Sequence, residues 1–138
     1  MKLWQKNTDA NQAVDRFTVG HDREMDLFLA EADVLGSLAH TRMLNSIGLL
    51  GDEDLQAVQR ELKKIHADIV AGRFTIDEGI EDVHSQVEFL LTERIGDAGK
   101  KIHSGRSRND QVLFDLRIFL RRQIDRMCNR RIIQTVLL

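Results

Sequence analysis

The sequence feature that most restricts the fold is the complete absence of proline. The chain has 138 residues and no proline, whereas proline makes up about 5% of an average protein. Proline ends helices because it lacks a backbone donor and clashes with the preceding turn. No glycine follows Gly105. Long uninterrupted helices are therefore allowed throughout, and they are favoured most in the last part of the chain.

Three helices are predicted before residue 97, because apolar residues recur there every three or four positions. The second of them has Asp52 as its expected N-cap, and Gly72 follows its end. The third is capped by Asp82 and stops at Gly96. The first covers residues 22–46, and its apolar positions are Met25, Phe28, Ala32, Leu35, Ala39 and Met43. Gly36 within it marks either a helix weakened by glycine or a close contact between helices.

A last helix is predicted from Asp110 to the end of the chain, about 43 Å long if unbroken. A helix of this length usually lies in a bundle or between subunits, and the apolar end of the chain indicates a piece of a larger assembly. We therefore expect an all-α fold. Residues 1–106 form a small N-terminal helical domain, and residues 107–138 form the first long helix of an incomplete bundle. The apolar stripe of that helix is Leu113, Leu116, Leu120, Ile124 and Met127.

The net charge of −2 hides a strong asymmetry. Residues 1–99 hold ten basic and nineteen acidic side chains, and residues 100–138 hold ten basic and three acidic ones. The basic block predicts an anionic partner, which could be a nucleic acid, a small acidic molecule or another acidic protein surface. The single cysteine, Cys128, suits a reducing compartment, and no apolar run is long enough to cross a membrane. We expect a cytoplasmic protein.

A basic loop, residues 100–108, precedes the last helix. It brings lysine, histidine and arginine side chains to a helix N-terminus, where free N–H groups and the macrodipole attract anions. Arginine adds bidentate recognition of carboxylate or phosphate, and Asn109 both donates and accepts hydrogen bonds. The alternative is that Ser107 or Asn109 only caps the helix and the basic side chains are solvated.

His84 is the histidine most open to a functional interpretation. It lies four residues before Glu88, so the two would share a helix face. Such a pair orients an imidazole for proton transfer or substrate contact, or it is an ordinary surface ion pair. The other histidines show no metal-ligand spacing, and no cysteine accompanies them, so we expect no metal site.

The motif Ile102-His103-Ser104-Gly105-Arg106-Ser107-Arg108-Asn109-Asp110-Gln111-Val112 resembles the argininosuccinate lyases of the fumarase/aspartase superfamily. Upstream, Glu81-Asp82-Val83-His84 and Leu91-Thr92-Glu93-Arg94-Ile95-Gly96 resemble further segments of that family, and Lys2-Leu3-Trp4 resembles its start. The likeness covers residues 2 to about 125. It departs at Gln5-Lys6-Asn7-Thr8 and at Phe17-Thr18-Val19-Gly20, where the family often has a substrate-binding serine.

The resemblance implies a β-elimination that converts argininosuccinate to arginine and fumarate, without a cofactor, in a homotetramer built from a bundle of long helices. It implies substrate contacts from Ser107, Arg108, Asn109 and His84. The family's threonine–histidine pair and its loop with the catalytic serine would lie beyond residue 138. We therefore expect no catalytic base or acid in this chain and no activity from it alone.

Three alternative functions remain at this point. The chain could serve another lyase of the superfamily, such as an adenylosuccinate lyase or a fumarase. It could also be a structural relative that has lost the chemistry. A basic helical nucleic-acid-binding protein is a different class. Against it, the only aromatic residues of the basic block that could stack on bases are Phe114 and Phe119, and Phe119 lies beside the apolar stripe. We expect a small-molecule partner, with neither nucleic acid nor membrane.

Overall fold

The computed structural model describes residue 17 and residues 20–136, with side chains as far as residue 129. Trp4 and the altered segments before Gly20 lie almost wholly outside these residues. Between residues 20 and 136 all regular structure is helical and no strand occurs. The expected all-α class is therefore confirmed.

The described elements are helices joined by short turns, apart from a longer loop at residues 71–82. They are α1 (Asp22–Asp26), a 3₁₀ turn (Leu27–Leu29), α2 (Ala30–Ser46), α3 (Asp52–Val70), α4 (Val83–Ile95), α5 (Asp97–Lys100), a second 3₁₀ turn (Lys101–His103) and α6 (Arg108–Val136). The predicted first helix is thus helical but interrupted by a 3₁₀ turn. The segment before α6 contains two short helical turns where only a loop was expected.

The apolar core lies between α2, α3 and α4. Helix α3 supplies Val58, Leu62 and Ile65, all fully buried, as its three–four spacing predicts. Helix α4 supplies Val83, Val87 and Leu91, and Ile102 closes one end. This core fixes the position of α4, and therefore of the residues at its N-terminus.

Three of the predicted helix ends are confirmed by the backbone. Asp82 caps α4, because its Oδ1 accepts a hydrogen bond of 2.8 Å from the Ser85 amide. Gly72 and Gly96 take positive φ angles of 69° and 63° just after α3 and α4, a conformation that glycine adopts without strain. Asp52 is not the cap of α3. The N-cap is Gly51, and the Asp52 carboxylate accepts a hydrogen bond from Asn45 instead.

The predicted first helix, which corresponds to α1, the 3₁₀ turn and α2, buries a different face from the one that its apolar spacing indicates. Of the six expected apolar positions only Ala32 is buried, while Met25 and Phe28 are 61% and 65% exposed. The buried positions include three polar residues, Asp33, Ser37 and Thr41. The reason is that α2 packs against α3 on one side and against α6 on another, so polar residues are enclosed between α2 and α6.

Helix α6 runs as one unbroken helix from Arg108 to Val136. Its contact with α2 is close, since a Cβ added at Gly36 would lie 2.7 Å from the Phe114 ring. The predicted apolar stripe of α6 faces away from α2, with Leu113, Leu116, Leu120, Ile124 and Met127 between 38% and 65% exposed. The residues that α6 buries against the domain are polar, Gln111 and Asp115.

Gly99 lets the short helix α5 lie directly on the backbone of α4. A Cβ built at Gly99 would lie 2.6 Å from the Leu91 carbonyl carbon and 2.7 Å from the Thr92 nitrogen. Backbone atoms cannot rotate away, so any side chain at this position forces α5 off α4. The basic loop begins at Lys100, the last residue of α5, so this contact also sets where that loop begins.

We expect Gly99→Ala to lower the free energy of unfolding by about 1–3 kcal/mol, the usual cost of overpacking. Urea unfolding of the 138-residue chain followed by circular dichroism measures it. Gly51→Ala is the matched control, because nothing lies within 4 Å of a Cβ there and its φ is −69°. Equal stabilities of the two variants would contradict the close contact.

Candidate functional site

The basic loop is held on α2 by two hydrogen bonds. The His40 ring contacts the Ser104 carbonyl through Nε2 at 2.9 Å, and Arg106 Nη2 donates to Ser37 Oγ at 3.0 Å. Between these two anchors Gly105 takes a φ of 70°, which allows the chain to reverse without strain. The path of the loop into α6 is therefore fixed by side chains on one face of α2.

Ser107 begins α6 with a reciprocal pair of capping hydrogen bonds. The Ser107 Oγ accepts from the Asp110 amide at 3.3 Å, and the Asp110 carboxylate accepts from the Ser107 amide at 2.9 Å. The Ser107 carbonyl accepts from the Gln111 amide. The Ser107 amide and hydroxyl both donate to the Asp110 carboxylate, and these two bonds lower the pKa of that carboxyl. Ser107 is therefore the helix cap, and its contact with a substrate stays a prediction.

Arg108 joins the N-termini of α4 and α6. Its Nη2 donates to Asp82 Oδ2 at 2.8 Å and to Ser85 Oγ at 2.6 Å, and Glu81 lies 3.8 Å from Nη1. Its guanidinium is thus bound to carboxylates within the chain. A contact between Arg108 and a ligand would have to use the donors that remain, and it stays a prediction.

Asn109 has an exposed side chain in the first turn of α6. The Ser107 oxygens accept the amides of Asp110 and Gln111. Helix geometry gives the amides of Arg108 and Asn109 no acceptor within the helix. At the start of α6, as the structure describes it, these two amides and the Asn109 carboxamide are placed to receive an anion.

His84 is buried, and it bonds to an aspartate that the sequence did not single out. Its Nδ1 lies 2.7 Å from Asp33 Oδ1 and 3.6 Å from Asp115 Oδ2, and the three residues are at most 2% exposed. Gln111 Nε2 donates to the same Asp33 oxygen at 3.1 Å. These four residues, which we call the polar junction, connect α2, α4 and α6.

The interpretation of His84 and Glu88 as a pair is wrong. Glu88 contacts His103 Nε2 at 2.7 Å, while His84 points into the polar junction. The i,i+4 spacing is compatible with a pair, but α2 offers a buried carboxylate on the inner side of α4. A direct substrate contact by His84, which the resemblance implies, stays a prediction.

Burial and charge shift the pKa values in the polar junction. Burial alone would lower the pKa of His84, but the hydrogen bond and charge of Asp33, with Asp82 and Asp115, outweigh it and raise the pKa. Burial and the Asp33 charge raise the pKa of Asp115 to about 7, although His84 and Arg106 oppose the shift. Both shifts favour the protonated forms, so His84 and Asp115 keep their protons to a higher pH in the junction than they would in water.

The ligand-type atoms of Asp33, His84 and Asp115 all lie within 4.8 Å of one another, so this group could hold a metal ion by distance. Their spacing in sequence gave no sign of it, since each comes from a different helix. In the structure the nearest Asp33 oxygen already contacts the His84 ring and the Gln111 amide, and Arg106 adds positive charge nearby. This chemistry fits proton sharing better than metal binding.

Much of the basic block contacts acidic side chains of the same chain. Arg108 binds Asp82, Arg122 lies 2.8 Å from Glu31, and Lys101 bonds to Asp54. The charge asymmetry is therefore compensated in part within the fold. This leaves less of the block available for a nucleic acid than the sequence suggests.

A cavity of about 340 Å³ lies between α2 and α6, beside the loop. Its walls include Met43 and Phe114, and its polar lining includes His40, Arg106 and Asp115. Ser107, Arg108 and Asn109 are not among its lining residues. Arg106 therefore lines this cavity, whereas these three predicted contact residues do not.

Sequence reasoning missed Asp33, Asp115 and Gln111 as members of the site. The only sign in the sequence was that each aspartate has apolar neighbours on both sides. Asp33 lies between Ala32 and Val34. Asp115 lies between Phe114 and Leu116. A charge in such a position is often exposed at a helix surface. Only the packing of α6 on α2 shows that both are enclosed.

Comparison with known families places the chain in a lyase family. The family model described as "Lyase" matches residues 4–136, which is nearly the whole chain and includes the loop, the polar junction and α6. The chain therefore belongs to this lyase family.

Three curated proteins with similar sequences are named argininosuccinate lyase. The protein of Bacteroides thetaiotaomicron is 63% identical over 123 residues, which is 89% of this chain and 28% of that protein. The protein of Methylococcus capsulatus is 50% identical over 92% of this chain, and that of Moorella thermoacetica is 46% identical over 90%. The chain spans about 28% of the length of these curated relatives. The resemblance seen in the motif is thus confirmed.

None of the helices that the structure describes is both long enough and apolar enough to cross a bilayer.

We expect the free energy of unfolding to fall as the pH rises from about 5 to about 8. His84 has a raised folded pKa, so its contribution is complete below its ordinary value near 6.5 and is lost as the pH rises through the folded value. Asp115 acts in the same direction. Its pKa is raised to about 7 in the fold, so its contribution to the free energy of unfolding is lost as the pH rises from about 4 to about 7. His40, whose pKa burial lowers, acts oppositely.

Asp115→Asn should flatten this pH dependence, since the amide keeps the shape and removes the titration. Urea unfolding at several pH values measures the slope. Asp125→Asn, an exposed aspartate on the same helix, is the control and should leave the slope unchanged. Parallel curves for Asp115→Asn and the unmodified chain would show that Asp115 titrates in its ordinary range.

Proposed function

We propose that this chain serves an argininosuccinate lyase and supplies the carboxylate-binding loop of its active site. The observation that carries the proposal is the start of α6, where the first-turn amides and the Asn109 carboxamide lie at the end of an anchored basic loop. The similarity to relatives of that name over about nine tenths of the chain supports the choice of reaction.

The proposed reaction removes a proton from the carbon next to one carboxylate of argininosuccinate. The C–N bond to the guanidinium then breaks, which gives arginine and fumarate. The intermediate carries negative charge that spreads into the adjacent carboxylate, so the site needs donors aimed at the carboxylate oxygens. The start of α6 offers such donors in a fixed position, and they need not reorganise as the charge develops.

In this proposal some residues bind the substrate, and others hold the binding groups in place. Asn109, with the amides of Arg108 and Asn109, binds a substrate carboxylate, and Ser107 holds those amides in place through the cap. Arg108 fixes the start of α6 against Asp82 on α4, and remaining donors of its guanidinium contact the substrate. His84 lies in the polar junction and helps to hold α4 against α2 through its bond to Asp33.

The base and acid of the reaction come from regions other than residues 1–138 in this proposal. The exposed apolar stripe of α6 fits a position in a bundle with further long helices. We propose a homotetramer as the working assembly and argininosuccinate as the partner, with no nucleic acid, membrane or cofactor. We propose the cytoplasm as the location, which the single free cysteine, Cys128, suits.

The test is a chimera in which the matched segment of this chain replaces the corresponding segment of the Bacteroides thetaiotaomicron relative. The chimera should release fumarate from argininosuccinate, and the 138-residue chain alone should release none. Fumarate is followed by its ultraviolet absorbance. A folded chimera without activity, or one that acts on adenylosuccinate or malate instead, would contradict the proposed function.

Asn109→Ala in the chimera should lower kcat/KM for argininosuccinate by at least about tenfold. A hydrogen bond to a charged group contributes about 1.5–3 kcal/mol, and each 1.36 kcal/mol corresponds to a factor of ten. Asn129→Ala, an exposed asparagine further along α6, is the matched control and should change kcat/KM less than twofold. Equal kinetics of the two variants would remove Asn109 from the site.

A further inference from the structure

Arg106 differs from the other basic residues of the loop because its side chain turns inward. Its Nη2 donates to Ser37 Oγ at 3.0 Å, and Ser37 is completely buried. Its Nε is buried and has no hydrogen-bond partner among the described residues. Placing a guanidinium this way has a desolvation cost, and burial lowers the pKa of Arg106. An arginine that contributed only to solubility would keep its guanidinium exposed to solvent.

The charges that compensate this burial belong to the polar junction. The carboxylates of Asp33 and Asp115 oppose the effect of burial on the Arg106 pKa, and Glu88 adds to them. Asp33 also bonds to His84. Arg106 is therefore the point where the basic loop meets the buried charges that connect α2, α4 and α6.

The second anchor of the loop lies almost one turn further along the same helix. His40, three residues after Ser37, contacts the Ser104 carbonyl at 2.9 Å. Ser104 and Arg106 lie on the two sides of Gly105, so both ends of the reversal are tied to α2. The cap at Ser107 follows immediately, and any shift of Arg106 moves the first turn of α6.

We propose that Arg106 is a positioning residue for the lyase reaction: bonded to Ser37 beside the carboxylates of Asp33 and Asp115, it holds the start of α6 where Asn109 meets the substrate. This inference rests on the proposed function, because the positioned groups are those assigned to the carboxylate. Arg106 does not touch the substrate itself. It acts through the geometry of the loop.

The geometry requires an arginine because its planar fork reaches two kinds of partner at once. One nitrogen bonds to Ser37 while the charge faces the carboxylates. Lysine keeps the charge but presents a single, strongly hydrated ammonium. Glutamine keeps a donor but removes the charge. The two substitutions therefore separate the geometric contribution of Arg106 from its electrostatic contribution.

Asp115 reports the electrostatic contribution. Its pKa is raised to about 7 by burial and by the Asp33 charge, with a smaller upward effect from Asp26 on α1. His84 on α4 and Arg106 from the loop act in the opposite direction. Removing the Arg106 charge therefore moves the Asp115 titration to higher pH, while Arg106→Lys leaves it close to its original position.

The kinetic test uses the active chimera. Arg106→Lys and Arg106→Gln should each lower kcat/KM for argininosuccinate by at least about tenfold, because a small displacement of binding groups can lower a rate by up to about a hundredfold. Arg60→Gln is the matched control, since Arg60 is 67% exposed on α3 and should change kcat/KM less than twofold. Ser37→Ala, which removes one anchor, should show a smaller loss in the same direction.

The second readout is the carboxyl ¹³C shift of Asp115 against pH in the 138-residue chain. Arg106→Gln should move the midpoint upward, and Arg106→Lys should not. A kcat/KM within twofold of the unmodified chimera in both Arg106 variants would overturn the proposal. So would an unchanged Asp115 midpoint in Arg106→Gln, which would leave Arg106 no place beside the junction.

The outcomes separate the two proposals. An inactive unmodified chimera contradicts the proposed function. The Asp115 titration in the 138-residue chain still tests whether the Arg106 charge lies beside the junction. An active chimera with indifferent Arg106 variants contradicts only the positioning role. If Arg106→Gln does not fold, Arg106→Lys and Ser37→Ala test the positioning role instead. A lower kcat/KM in both variants, with unchanged melting temperatures, supports that role. An unchanged kcat/KM in both overturns it.

Discussion

The hydrogen bond between His84 and Asp33 is the interaction on which the rest of the structure depends. It joins α4 to α2 at 2.7 Å with both groups buried, and Gln111 brings α6 to the same oxygen. Removing one partner of a buried charged pair typically costs about 3–5 kcal/mol, because the other charge is left without compensation. The geometry of three helices thus depends on one carboxylate of α2.

The two sides of α2 have different chemistry for this reason. Toward α3 and the apolar face of α4 the contacts include Val34 and Leu62, and they supply the stability of the domain. Asp33 adds buried polar contacts to His84 on α4 and to Gln111 on α6, and such directional bonds fix a helix more precisely than apolar packing does. Precise placement of α6 matters because its first turn carries Asn109 and the amides proposed to bind a carboxylate.

Sequence reasoning was most successful where local physics decides the outcome. The stripe of α3, the Asp82 cap and the glycine ends follow from spacing and capping rules, and α6 follows from the absence of glycine and proline after Gly105. The loop motif also identified the family. Helix α6 begins at Arg108, two residues before the predicted Asp110, and it is helical to Val136, the last residue that the structure describes.

Long-range packing explains what the sequence did not reveal. Apolar spacing in the predicted first helix indicated the face with Met25 and Phe28, yet both are exposed, and the buried face of α2 includes the polar residues Asp33, Ser37 and Thr41. The partner of His84 lies 51 positions away, and that of Gln111 lies 78 positions away. Arg106 and Arg108 look alike in the motif, but one turns inward to Ser37 and the other binds Asp82.

The most direct test of the central claim is a crystal structure of the chimera with fumarate or argininosuccinate bound. The account requires a ligand carboxylate within hydrogen-bond distance of the Asn109 side chain and of the first-turn amides of α6, with Arg106 still bonded to Ser37. A ligand bound elsewhere, with Asn109 in solvent or packed under another side chain, would contradict it.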